Sequence, residues 1–248
     1  MSFDSTISDG KRSGSLCVAI VGAESTGKTT LAQELAAHLQ HQFEPRGLQV
    51  AWVPEVLREW CSANGRTPQA HEQAALLREQ HQRINAAAQT HEVVVCDTTA
   101  LMTAVYSRIV FGDRSLDERA ATLHLRQVDL TLLTALDLPW VADGLQRDGP
   151  QVQEPVDRAL RELMRQHGIQ FQVVGGSGPR RLMQALDALQ ATLRSRTEAA
   201  GAAGLPKPRV RSLFADLDSR SKTAARWSCD CCGATASPHS RAPGRARA

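Results

Sequence analysis

Two glycines, a lysine and a threonine stand at the spacing G-x-x-x-x-G-K-[ST] in Gly22-Ala23-Glu24-Ser25-Thr26-Gly27-Lys28-Thr29. Glycines let a backbone curl until successive N–H groups point inward, and a helix beginning at such a curl adds its positive end. That combination cradles phosphate. Lys28 would reach the β- and γ-phosphates of a nucleotide, and the Thr29 hydroxyl would ligate Mg²⁺. The remaining loop residues, with Thr30, would line the nucleotide. A plain strand-to-helix turn is the structural alternative.

Four further groups of residues invite a chemical reading. Val93-Val-Val-Cys-Asp97 is an apolar run ending in a carboxylate, as in a Walker B element that holds Mg²⁺. Thr98 follows where many hydrolytic ATPases place a glutamate, which tilts the chemistry from hydrolysis to phosphoryl transfer. Asp97 as the N-cap of the next helix is the competing role. Pro54-Glu55-Val-Leu-Arg58 ends another apolar run, so Glu55 would orient an acceptor hydroxyl or take its proton, and Arg58 would bind substrate or phosphate. The alternative is a solvated i, i+3 pair at a helix start. Trp140, Asp143 and Arg147 share a loop suited to a lid: the indole to stack on a ring, the acid to bond a sugar hydroxyl, the guanidinium to meet transferring phosphate. A surface turn anchored by Trp140 is the alternative. Gly175-Gly-Ser-Gly178-Pro-Arg180-Arg181 suits backbone contacts to adenine, with Arg180 stacking on it. Gln80 is read as either a base-reading amide or a solvent-facing side chain, with solvent the better fit.

These residues need a scaffold. Apolar runs at Leu16–Val21, 48–53, 93–96, 130–133 and 171–174 alternate with helix-patterned stretches at 29–42, 69–90, 100–110, 116–126, 154–167 and 179–194. Short, continuously apolar strands alternating with helices describe an α/β fold, about five parallel strands buried on both faces and covered by helices. The expected class is a P-loop NTPase, nucleoside- or nucleotide-kinase-like.

The 248 residues divide by composition into a disordered N-terminus (1–15), the kinase-like domain (16–196), a small-residue linker (197–210) and a mostly disordered basic tail (211–248). Hydrophobic residues at 42% and charged residues at 22% exclude a wholly disordered chain. No run approaches the roughly 20 apolar residues of a membrane helix, and the polar N-terminus lacks a signal-peptide core, so a cytoplasmic protein is expected. Residues 207–248 hold nine Lys/Arg against three Asp/Glu, whereas the rest holds 20 against 23. The domain therefore carries no strong nucleic-acid signal, and the tail's partner stays unassigned. Six cysteines do not make a disulfide framework here. Cys17 and Cys96 read as core residues. Cys229 and Cys232 form a C-x-x-C which His239 could extend towards Zn²⁺, although a disordered, metal-free tail explains them as well.

In order, the segments GAESTGKTT, PEVLREW, CDTTALMTAVYSRIVFG and VDLTLLTALDLPWVADGLQRD resemble the ribosylnicotinamide kinase domain of NadR-type proteins and the NadR-like AAA-family ATP-binding proteins. The resemblance spans roughly residues 16–193. It implies a P-loop kinase that moves the ATP γ-phosphoryl to the 5′-hydroxyl of nicotinamide riboside. Lys28 and Thr29 would then serve ATP·Mg²⁺, Glu55, Arg58 and Asp97 the acceptor and metal, and Trp140 and Asp143 the riboside. Gln146 stands where that family's loop carries arginine, with Arg147 one residue later. The adenylyltransferase domain and DNA-binding segment of the bifunctional relatives are not expected ahead of residue 16. A regulatory ATP-binding switch of the same fold is the competing function. A GTP switch is disfavoured because no N-K-x-D element occurs. Other nucleosides, thymidine among them, remain open as acceptors.

Overall fold

A computed structural model describes residues 15–141 and 149–202, with side chains to 198. Five strands are all parallel: β1 (Leu16–Val21), β2 (Val50–Val53), β3 (Val93–Asp97), β4 (Leu130–Thr134) and β5 (Gln172–Val174), in spatial order β2-β3-β1-β4-β5. Among the described residues seven α-helices connect and follow them: α1 (Lys28–Phe43), α2 (Val56–Asn64), α3 (Ala70–Thr90), α4 (Ala100–Phe111), α5 (Asp117–Gln127), α6 (Gln153–Gln166) and α7 (Pro179–Ala202).

Strand alternation makes the layers. Leu16, Val18 and Ile20 of β1 turn to one face, where α1 and α7 cover them with Leu31, Leu35, Leu39 and Leu189. Val21 turns to the other face with Leu77 of α3 and the apolar stripes of α4, α5 and α6. Cys17 and Cys96 are buried there too, among Val53, Val94, Ile84 and Ala88. The expected burial of every strand on both faces holds for β1, β3 and β4. It fails at the two edge strands, where Trp52 of β2 and Val173 of β5 are exposed.

Two boundaries also differ from the expectation. The segment after Glu55 forms α2, a helix too short for its periodicity to stand out in sequence. Helix α7 runs on to Ala202, into the stretch read as linker, because its Arg, Glu and Ala residues are good helix formers. No helix among the described residues is long and apolar enough to cross a membrane.

The order places β1 at the centre, with the chain leaving it first towards β3 and β2 and then towards β4 and β5. A crevice therefore opens beyond the carboxyl ends of β1, β3 and β4, the usual ligand position in such sheets.

Candidate active site

The loop leaving β1 forms the floor of that crevice. Gly27 takes a left-handed conformation (φ 75°) and caps α1, so the helix N-terminus faces the loop interior. At Gly22 a Cβ would lie 2.1 Å from Thr134 Oγ1, so only glycine lets β4 approach this closely. Thr134 and Thr26 share a 2.6 Å hydroxyl–hydroxyl hydrogen bond, and the Thr26 hydroxyl also reaches Ala23 O at 2.7 Å. The loop is held further by Ser25 Oγ donating to Val141 O (2.6 Å) and Gln153 Nε2 donating to Glu24 O (2.7 Å).

Lys28 is buried and donates from Nζ to Ala23 O at 2.8 Å. Burial pulls its ammonium below the ordinary lysine value, and the negative charges of Glu55 and Asp97 pull it back. Those two carboxylates thus share the lysine's surroundings, as Arg58 does. Asp97 ends β3 opposite Ile20 of β1, 1% exposed. Burial raises its carboxyl above the usual range, while a hydrogen bond from the Thr29 side chain and the charges of Lys28 and Arg58 work against that. Its Oδ1 has no hydrogen-bond partner. A hydroxyl and a carboxylate with an open oxygen suit Mg²⁺, which takes few protein ligands and keeps waters. These residues fit the ion.

Helix α4 is capped by Thr99, whose hydroxyl accepts from Leu101 N, so Asp97 is not the N-cap. Between them Thr98 sits buried at φ 72°, a costly conformation for a β-branched residue next to a candidate metal carboxylate.

Glu55 lies at the carboxyl end of β2 as the N-cap residue of α2. It is 6% exposed and faces Arg58 at 3.9 Å, so the solvated-pair alternative is set aside on the carboxylate side. Gln80 explains its placement. That amide is buried on α3, accepts from Val56 N at 2.8 Å and donates to Pro54 O at 3.3 Å, clamping the peptides on both sides of Glu55. The expectation of a solvent-facing Gln80 is corrected, as is that of a base reader: both ends of the amide are spent on backbone.

On the opposite wall, Arg180 is exposed and its stem runs over Gly176, while Arg181 is 4% exposed and donates to Thr26 O and to the Asp137 carboxylate. Sequence reading included Arg181 in the glycine-rich turn but gave it no role. Its signal was periodicity, since 181, 185, 188 and 189 fall on one stripe and the last three are core. Thr134, Asp137 and Gln153 carried no comparable signal, because their partners are remote in sequence.

A cavity of about 200 Å³ opens beside Glu24 of the loop, walled by Leu57, Tyr106, Ile109, Phe111 and Val156 with the polar Gln73 among them. Trp140, half-buried with an unpartnered Nε1, does not line it. Thr30 is exposed on α1. Asp143, Arg147, Cys229, Cys232 and His239 lie outside the described residues.

The arrangement can bind a polyphosphate on the loop, hold a cation at Thr29 and Asp97, and seat a second molecule near Glu55. Comparison with known proteins bears on this. The sequence pattern of a family described as an AAA domain matches residues 17–181. No curated protein sequence matches the chain. Among solved structures, a NadR protein in complex with NAD and AMP-PNP is similar at TM-score 0.58 and 18% identity, covering 73% of this chain and 50% of that one. A NadR protein in complex with NR gives 0.59 and 19%, covering 73% and 52%. A thymidylate kinase from Ehrlichia chaffeensis gives 0.51 and 14%, covering 71% and 99%. The chain spans about half the length of the NadR proteins it matches, and at these identities the likeness is one of fold. The fold is that of P-loop kinases, NadR-like as the motifs implied, and with its matched segment running from β1 to Arg181 the chain belongs to the AAA domain family.

Proposed function

We propose that the chain is an ATP-dependent phosphotransferase that moves the γ-phosphoryl group to the 5′-hydroxyl of a riboside, with nicotinamide riboside the favoured acceptor. The observation that carries this reading is the convergence of buried Lys28, the Thr29–Asp97 pair and buried Glu55 at the carboxyl ends of β2 and β3 around the phosphate loop. The NadR structures solved with NR and with AMP-PNP support the choice of acceptor and donor.

Each residue has a defined task. The amides of residues 22–29 and the α1 N-terminus hold the triphosphate. Lys28 gives up its contact with Ala23 O and follows the charge that develops on the transferring group. Thr29 and Asp97 would hold Mg²⁺, which neutralises phosphate charge. Glu55, fixed by Gln80, orients the acceptor hydroxyl and takes its proton, with Arg58 steadying the carboxylate. Trp140, Asp143 and Arg147 would close over the riboside as a lid, and Arg180 would stack on adenine.

The shift of arginine from position 146 to 147 favours a second reading, a regulatory ATP-binding protein of the same fold. Purified protein, ATP·Mg²⁺ and a panel of ribosides separate the two. Acceptor-dependent ADP release upholds the kinase; nucleotide binding without turnover on any riboside upholds the switch. Loss of transfer in Lys28→Ala is expected, and retained transfer would remove the site assignment.

A further inference from the structure

Asp97, Thr98 and Thr99, consecutive at the end of β3, are all buried and polar. The backbone turns sharply between them. Thr98 stands at φ 72°, a left-handed conformation that a β-branched residue keeps only when its surroundings impose it. Its own N–H donates to Ile20 O of β1 at 3.0 Å, which ties the turn to the sheet. On the far side Thr99 caps α4 by accepting from Leu101 N, and its hydroxyl lies 3.0 Å from Nδ1 of His124. His124 is buried on α5, and its Nε2 lies 2.8 Å from the Thr131 hydroxyl of β4. Burial pushes the imidazole pKa down to about 3, so the ring is neutral and one nitrogen donates while the other accepts. The ring thereby links the turn after β3 to a strand on the other side of β1.

From this chain of contacts we infer that His124 is a positioning residue for the metal carboxylate. Through Thr99 it holds the strained Thr98 turn, and that turn sets the direction in which Asp97 presents its side chain. The inference rests on the reading of Thr29 and Asp97 as the Mg²⁺ pair. Asp97 and Thr98 share a peptide, so a turn that relaxes to an ordinary conformation rotates the backbone from which the carboxylate projects. The carboxylate then shifts against the Thr29 hydroxyl that bonds it. Mg²⁺ demands near-octahedral geometry, so a displaced ligand holds it poorly. Loss of a group that orients a metal ligand without touching the ion typically costs about 10- to 100-fold in metal affinity or activity.

The test is calorimetric binding of AMP-PNP to the full chain, with Mg²⁺ and with EDTA. It compares the wild type, His124→Asn, His124→Gln and the double variant His124→Gln/Thr98→Gly. Asparagine puts an amide where Nδ1 was and keeps the bond to Thr99, whereas glutamine reaches the place of Nε2 and keeps only Thr131. His124→Gln should lose about tenfold of the affinity gained from Mg²⁺, with the EDTA value within about twofold of the wild type. His124→Asn should keep that gain to within about threefold. Glycine adopts φ 72° without strain, so the double variant should recover most of the loss, and it carries the test should the single glutamine variant misfold. Equal losses in the asparagine and glutamine variants overturn the positioning role. So does an EDTA affinity that falls in step with the Mg²⁺ value, or a double variant that stays about tenfold weak. A wild type whose affinity ignores Mg²⁺ overturns the metal pair and this inference together. The expected pattern in a protein that phosphorylates no riboside upholds the inference and overturns the kinase reading alone.

Discussion

Replacing Arg181 by methionine removes one guanidinium and leaves an apolar stem in its place. In the wild type that group donates to Thr26 O in the phosphate loop and to Asp137 just beyond β4. The two contacts are unequal. Asp137 is 35% exposed on its side chain and also accepts from Gly176 N, so water and that amide compensate it and the ion pair contributes less than ~1 kcal/mol. Thr26 O is a buried contact that loses a charged donor, at a cost of about 1.5–3 kcal/mol. The expected destabilisation is therefore about 2–3 kcal/mol, visible as a lower urea midpoint with an unchanged slope. Because the lost contact orders the phosphate loop, KM for ATP should rise about tenfold while KM for the acceptor stays put. Arg180→Ala is the control. Its exposed side chain should leave the midpoint within ~0.5 kcal/mol and affect ATP alone if it stacks on adenine. Equal midpoints for Arg181→Met and the wild type, together with an unchanged ATP KM, would refute the anchoring role.

Asp97→Asn should lower kcat at least about a hundredfold in Mg²⁺; since burial raises the Asp97 pKa, its ionised form opposes folding, so the amide variant should melt above the wild type at neutral pH and the difference should vanish on acidification. Gln80→Leu orphans Val56 N–H and loosens the Glu55 clamp, costing about 1–3 kcal/mol and lowering kcat with little change in ATP KM, as steady-state kinetics would read. His124, buried between Thr99 and Thr131, has its pKa pushed down to about 3, so the unfolded chain takes up its proton first as pH falls. That uptake should remove about 2 kcal/mol of stability between pH 6.5 and 5, and His124→Gln should abolish this slope in pH-dependent urea titrations.

Much of the scaffold was legible because its signals are local. An apolar strand, a glycine-bearing curl and a helix beginning at Lys28 are neighbours in the chain, so residues 16–43 announce the phosphate loop without reference to anything else. The apolar run to Asp97 did the same for β3. Helix α2 was legible only as an alternative helix start at Glu55, because nine residues give too few turns for a periodic stripe, and that start is fixed by Gln80, 24 residues away. Glu55 was legible as a residue but its burial was not, since that depends on α3 packing over the end of β2.

Sequence alone determined which backbone would grip phosphate and which runs would form strands, because those follow from residue type and short-range period. Tertiary structure decided what the polar side chains do. Gln73 and Gln80 lie seven residues apart on one helix, yet Gln80 has both ends of its amide bound to backbone while Gln73 keeps a buried oxygen without a hydrogen-bond partner. Arg180 and Arg181 are chemically identical neighbours, and only the roll of α7 against the sheet sends the second into the loop. The role of a side chain in a site depends on which distant groups packing brings within hydrogen-bond reach, and residue type carries no record of that.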